Sequence, residues 1–165
     1  MPPARILIVE DEEILADNLK VYLGRRTPDV RIAPDAETAM EMLKTFSPDL
    51  VVLDYALPGI DGLRAYGDIV RTSSHQPGCI MITGYLNDFL AEKAHQQGIN
   101  HLLCKPFSFA ELQHEVDLSS EERIGKSAIG IRQPQDRRSQ QIHWHTSNRR
   151  RELRRSQLLC SQTTL

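Results

Sequence analysis

Apolar residues fall in short runs that alternate with helix-spaced patterns through the first 118 positions. Arg5–Val9 carries the string Ile6-Leu7-Ile8-Val9, apolar at every position, as a central parallel strand requires. Ile14, Leu15, Leu19, Tyr22 and Leu23 then recur at helical spacing, with Gly24 closing that helix. Val30–Ala33 reads as a second strand. Asp35 is placed to cap a helix whose apolar face is Ala36, Ala39, Met40 and Leu43. Leu50–Leu53 is a third strand. A turn containing Pro58-Gly59 and Asp61-Gly62 leads to a helix ending about Arg71. Cys79–Ile82 is a fourth strand, followed by a helix near Asp88–Gln97 that stops at Gly98. His101–Cys104 is the fifth, and Ser108 with Glu111 forms a capping box opening the last helix.

Repeated strand–helix units of this length call for a parallel sheet with helices on both faces. Right-handed crossovers leave few topologies, of which a five-stranded doubly wound sheet in the order 2-1-3-4-5 is the natural one.

After Leu118 the pattern fails, and the charge changes sign with it. Residues 1–118 hold 10 Lys and Arg against 18 Asp and Glu, a net of −8. Residues 119–165 hold 10 against 4, a net of +6. The overall −2 describes neither part. The sequence therefore predicts a folded acidic domain over 1–118 and a basic, largely disordered tail over 119–165. Three widely spaced cysteines (Cys79, Cys104, Cys160) without a C-x-x-C argue against a disulfide framework or zinc site. They argue for a reduced, cytoplasmic compartment. The only N-terminal apolar string is too short for a signal peptide or membrane span, so no membrane association is expected.

In open parallel sheets, ligands bind beyond the carboxyl ends of the strands. Strand one ends in Glu10-Asp11, strand three in Asp54, strand four in Thr83 and strand five in Lys105-Pro106. Three clustered carboxylates repel one another unless a cation joins them. With no His or Cys at that rim, oxygen-only ligands favour Mg²⁺. Lys105 and Thr83 supply the point charge and hydroxyl that a phosphoryl group needs. A carboxylate in this company is equipped to take up a phosphoryl group as an aspartyl phosphate.

Four stretches of the chain resemble the receiver domains of two-component response regulators. They are ILIVEDEE (6–13), VVLDYALPGIDG (51–62), IMITGY (80–85) and GINHLLCKPF (98–107). The resemblance spans about residues 4–118 and implies a flavodoxin-like α/β fold. It implies that Asp54 is the phosphoacceptor and that Asp11 binds Mg²⁺ together with Asp54. Glu10 would act through water, and the backbone carbonyl of Ala56 would complete the protein ligands. Thr83 and Lys105 would each take a phosphoryl oxygen, and the Lys105-Pro106 peptide would be cis. The partner implied is a sensor histidine kinase or phosphotransfer protein. The face formed by the fourth helix, fifth strand and fifth helix is implied as the output or homodimer surface. The role is regulatory, with only self-phosphorylation and autodephosphorylation as chemistry.

The chain departs from the family where an inward-turning aromatic commonly stands three residues before the lysine. Leu102 occupies that position, leaving Tyr85, two residues after Thr83, as the aromatic for switching or gating. Outside the resemblance, His75, His95, His101 and His114 are scattered and read as surface or partly buried side chains. His143-Trp144-His145 lacks the further ligands of a metal site. Gly125-Lys126-Ser127 lacks the first glycine of a P-loop, because position 120 is Ser120. The arginines at 149–151 and 154–155 read as a solvated tail, so nucleic acid is not an expected partner. RIGKSAI (123–129) resembles the opening of the ATPase domain of enhancer-dependent transcription activators, which makes the tail a candidate truncated or frameshifted output domain.

Two rival functions are distinguishable. A DNA-binding transcriptional regulator would need a helix-turn-helix pattern, and none is visible in 119–165. A Mg²⁺-dependent phosphatase using Asp54 as nucleophile would need an acid two residues later, where Ala56 stands.

Overall fold

The structure, a computed structural model, describes residues 3–128. Five strands alternate with five helices: β1 Arg5–Val9, α1 Glu13–Leu23, β2 Asp29–Ala33, α2 Ala36–Leu43 and β3 Leu50–Asp54 come first. α3 Gly62–Thr72, β4 Gly78–Thr83, α4 Asp88–Gln96, β5 His101–Cys104 and α5 Phe109–Ala128 complete them. All strand pairs are parallel, and the sheet runs β2-β1-β3-β4-β5.

The wholly apolar strand runs are explained by two cores. Alternate residues of one strand point to opposite faces. Leu7, Val9, Val51, Leu53 and Met81 therefore pack with Ala39, Tyr66, Ile69 and Ala94 on the side of α2, α3 and α4. Ile6, Ile8, Leu50, Val52, Ile80 and Ile82 pack with Leu19, Leu23, Leu112 and Val116 on the side of α1 and α5. Each fully buried Leu or Ile contributes about 1.5–3 kcal/mol relative to exposure. β2 is an edge strand and only Ala33 of it is buried, so it is the least hydrophobic of the five in sequence.

Helix ends follow local chemistry. Asp35 accepts a hydrogen bond from Thr38 N–H at 2.7 Å, as its sequence position predicts. The Ser108–Glu111 capping box forms reciprocally, with Ser108 N–H on Glu111 Oε2 (2.7 Å) and Glu111 N–H on Ser108 Oγ (3.2 Å). Asp61 and Asn87 cap α3 and α4 through Arg64 N–H and Leu90 N–H. Gly98, at φ +84°, ends α4: its N–H reaches His95 O and Ile99 N–H reaches Ala94 O, both at 2.9 Å. Gly24, by contrast, ends α1 at φ −63°, without the left-handed turn.

One sequence expectation differs from the structure. α5 does not stop at Leu118 but continues to Ala128. The pattern fades there because polar residues fill the inward positions. Ser119 and Ser120 are buried, Ser120 Oγ donates to Val116 O at 2.8 Å, and Ser119 Oγ lies where a Cβ on Gly78 would be. Small residues on both sides let α5 approach the start of β4 closely. Of the cysteines, Cys79 is free and buried in the core on the α2–α4 side.

Among the described residues, no helix is long and apolar enough to cross a membrane. The expected disordered tail over 129–165, with its arginines and His143-Trp144-His145, lies outside the described residues.

Candidate functional site

Ladder hydrogen bonds run one step past the strands and bring their carboxyl ends into line. Glu10 N–H donates to Ala33 O (3.1 Å), Tyr55 N–H to Ile82 O (2.8 Å) and Lys105 N–H to Thr83 O (2.8 Å). This alignment delivers Glu10, Asp54, Thr83 and Lys105 to one rim, although they are far apart in sequence.

Lys105 Nζ is the centre of the rim. It donates to Asp54 Oδ2 at 2.6 Å and to Glu10 Oε2 at 3.1 Å. Asp54 is 5% exposed and Glu10 2%, so both carboxylates are removed from water and held by one ammonium. The other Asp54 oxygen, Oδ1, accepts from Ala56 N–H at 2.9 Å. Glu10 Oε1 accepts from Glu12 N–H at 3.3 Å. Asp11 stands exposed beside them, and Glu10, Asp11 and Asp54 each offer an oxygen within 4.8 Å of the others.

The electrostatics follow from burial. Loss of solvent pushes the Glu10 carboxyl above its usual range; the Lys105 hydrogen bond pulls it back and the neighbouring Asp54 charge pushes it further up. Burial works against the Lys105 ammonium. The hydrogen bonds it donates to Asp54 and Glu10, with the charges of those carboxylates, outweigh it and hold the ammonium above its ordinary value.

An all-oxygen set of three carboxylates fits a hard divalent cation of the Mg²⁺ class, with one exposed member open to solvent. The burial of Glu10 and Asp54 beside a single lysine leaves an excess of negative charge that such a cation offsets.

Thr83 is 1% exposed, and its hydroxyl is held locally: Oγ1 accepts from Tyr85 N–H (3.1 Å) and donates to Tyr85 O (3.2 Å). Tyr85 itself is 73% exposed. Leu102 is half-buried against the core on the α2–α4 side, in register with Met81, two residues before Thr83. The Lys105-Pro106 peptide is cis.

Two features of the site were not singled out by sequence reasoning. The first is the Ala56 N–H on Asp54, since Ala56 was expected to act through its carbonyl. The second is the role of Gly62. Its N–H donates to Tyr55 O at 2.7 Å, and a Cβ there would lie 2.7 Å from Asp54 O and 2.8 Å from Tyr55 Cα. The N-terminus of α3 thus rests directly on the peptide that carries Asp54. A glycine next to a capping Asp was the available signal. Of the scattered histidines, His101 is buried and bonded to Glu115 through Nδ1 at 2.8 Å.

Comparison with known proteins agrees with this fold. Residues 6–117 match the response regulator receiver domain. The transcriptional regulatory protein PdtaR of Mycobacterium tuberculosis (strain CDC 1551 / Oshkosh) is 31% identical over 118 residues, covering 71% of this chain and 57% of PdtaR. The alkaline phosphatase synthesis transcriptional regulatory protein PhoP of Bacillus subtilis (strain 168) is 33% identical over 112 residues, covering 68% of this chain and 46% of PhoP. The chain thus spans about half the length of these curated relatives. Among solved structures, the receiver domain of a DNA-binding response regulator (merR) from Colwellia psychrerythraea 34H is 30% identical with a TM-score of 0.64, covering 71% of this chain and 98% of that one. The receiver domain of a putative Luxo repressor from Vibrio parahaemolyticus shares the fold at 24% identity, with a TM-score of 0.69 over 80% of this chain and 100% of that one. With a parallel 2-1-3-4-5 sheet and this rim of residues, the chain belongs to the response regulator receiver domain family.

Proposed function

We propose that the chain accepts a phosphoryl group on Asp54 from a histidine kinase or phosphotransfer protein, and signals through the resulting change of conformation. The observation that carries this reading is the placement of Asp54: a buried carboxylate bonded to Lys105 and clustered with Glu10 and Asp11. An Asp54 oxygen attacks phosphorus as the phosphorus–nitrogen bond of a phosphohistidine breaks, leaving its electron pair on the donor imidazole. Little covalent work is asked of the protein, and positioning with charge neutralisation carries the rate.

Each neighbour has a part. Ala56 N–H and Lys105 orient the Asp54 carboxylate before reaction. Asp11, Asp54, the Ala56 carbonyl and, through water, Glu10 would hold Mg²⁺, which when bound neutralises phosphoryl oxygens. Lys105 then exchanges its contact with Asp54 Oδ2 for a phosphoryl oxygen. Thr83 gives up its bond to Tyr85 O and donates to another, which couples phosphorylation to the backbone at Tyr85. The exchange biases an existing equilibrium between two conformations. Leu102 makes no demand for an aromatic swing, and Tyr85 is the aromatic that senses the change.

The output face is read as that of α4, β5 and α5. Exposed Tyr85 and Phe89 at the start of α4 support a protein contact there, including a second copy of the chain. A second reading of the output, transcription control, is favoured by relatives named as transcriptional regulatory proteins. A phosphatase role is disfavoured by Ala56, which offers no carboxyl to a leaving group.

The test is incubation of the full chain with acetyl phosphate and Mg²⁺, followed by intact-mass measurement. A gain of one phosphoryl group that disappears in Asp54→Asn supports the reading. Equal gain in Asp54→Asn overturns it.

A further inference from the structure

His101 sits on the edge strand β5, beneath α5, and is only 3% exposed. The two nitrogens of its ring face different carboxylates of the same helix. Nδ1 is 2.8 Å from Glu115 Oε2, and Nε2 is 3.6 Å from Glu122 Oε2. The first is a hydrogen bond. The second is within reach of an ion pair but too long for a hydrogen bond, and Nε2 is buried with no hydrogen-bond partner. Glu115 and Glu122 are seven residues apart, so the ring bridges positions about two turns apart on α5.

This geometry has a chemical consequence. Since a carboxylate only accepts, Nδ1 must carry the proton of the neutral ring. Nε2 then presents a bare lone pair to a second carboxylate, an orphaned polar atom that costs stability. Adding a proton converts that contact into an attraction between Nε2–H and Glu122. The charged ring would hold both turns of α5, the neutral ring only one. Among the described residues, the other groups around the bridge do not supply the missing charge. Asn100 Nδ2 donates to Glu122 Oε2 (3.4 Å), Asn100 Oδ1 contacts His95 Nδ1 (2.9 Å), and the register partner on β4 is apolar Ile80. His95 belongs to α4, so the network joins α4, β5 and the second half of α5.

We propose that His101 with Glu115 and Glu122 forms a proton-operated latch that fastens α5 to β5 when the ring takes up a second proton. Imidazole is the side chain suited to this, since its charge changes near physiological pH. The latch lies on the side of the sheet away from the α2–α4 core and needs no phosphoryl chemistry. It would make the seating of α5, and any surface built on it, sensitive to acidification independently of Asp54.

The test is hydrogen exchange of α5 amides in the full, unphosphorylated chain, expressed as protection factors at about pH 5.5 and about pH 7.5. The expected result is about threefold higher protection around Glu115–Glu122 at the lower pH, the size an ordinary half-exposed ion pair supplies. His101→Gln should abolish the pH dependence. Glu122→Gln changes a 43%-exposed side chain and keeps an acceptor for Asn100, and should abolish the pH-dependent gain while α5 stays protected. Protection that does not vary with pH in the wild type overturns the latch. So does a variation that survives unchanged in Glu122→Gln. Neither outcome bears on Asp54 phosphorylation, which the mass measurement tests separately.

Discussion

Lys105 Nζ and Asp54 Oδ2 lie 2.6 Å apart across 51 residues of chain, with Glu10 Oε2 3.1 Å from the same nitrogen. One ammonium therefore holds two buried carboxylates together before any cation or phosphoryl group arrives. Removing it leaves like charges facing each other in a dry site. Lys105→Met should slow phosphorylation from acetyl phosphate by about a hundredfold, the cost of losing one preorganised charge donor. Time courses of intact mass, with circular dichroism to verify folding, check this.

Thr83 is poised rather than engaged, because its hydroxyl is satisfied by the backbone of Tyr85. Thr83→Ser keeps the hydroxyl and should change the phosphorylated population by less than about threefold. Thr83→Ala removes a hydrogen bond to a charged group and should lower the lifetime or yield of the phosphorylated form by about tenfold. The comparison of the two variants separates the hydroxyl from the methyl.

Gly62 has no room for a Cβ against the Asp54–Tyr55 peptide. Gly62→Ala should shift α3 or the peptide itself, at a cost of about 1–3 kcal/mol from overpacking. A lower urea midpoint together with slower phosphorylation is expected. Gly67→Ala, where a Cβ meets only the flexible end of Arg71 at 3.7 Å, is the control and should leave both unchanged or raise stability.

Much of this was legible in the sequence, for physical reasons that vary by element. β1, β3 and β4 are buried on both faces, so their apolar runs are unbroken. α2 and α5 begin at polar caps whose hydrogen bonds are local. The site was legible because parallel strands end at a common rim, and the residues following each strand carry complementary charge. α5 beyond Leu118 was not legible, since Ser119 and Ser120 are buried by close approach to Gly78 rather than by hydrophobicity. Nor was the bridge at His101, which depends on two glutamates that only the packing of α5 on β5 brings to one ring.

Asp35 offers a pH signature away from the site. The backbone N–H of Thr38 stabilises its carboxylate and holds it below the ordinary value of 3.8. A depressed folded-state value means stability that is present above the unfolded value and lost as pH falls through the folded one. Asp35→Ala should therefore lower the urea midpoint at pH 7, and the gap from wild type should narrow at a pH well below 3.8. Denaturation followed by circular dichroism at the two pH values measures the gap.

The central claim is that Asp54 itself becomes the acyl phosphate. Borohydride reduces an aspartyl phosphate to homoserine, which marks the residue permanently. The full chain should be treated with acetyl phosphate and Mg²⁺, reduced, digested and sequenced by tandem mass spectrometry. Homoserine at position 54, dependent on phosphodonor, is the predicted result. Homoserine at position 11, or none at position 54 in a chain that has gained a phosphoryl group, would contradict it.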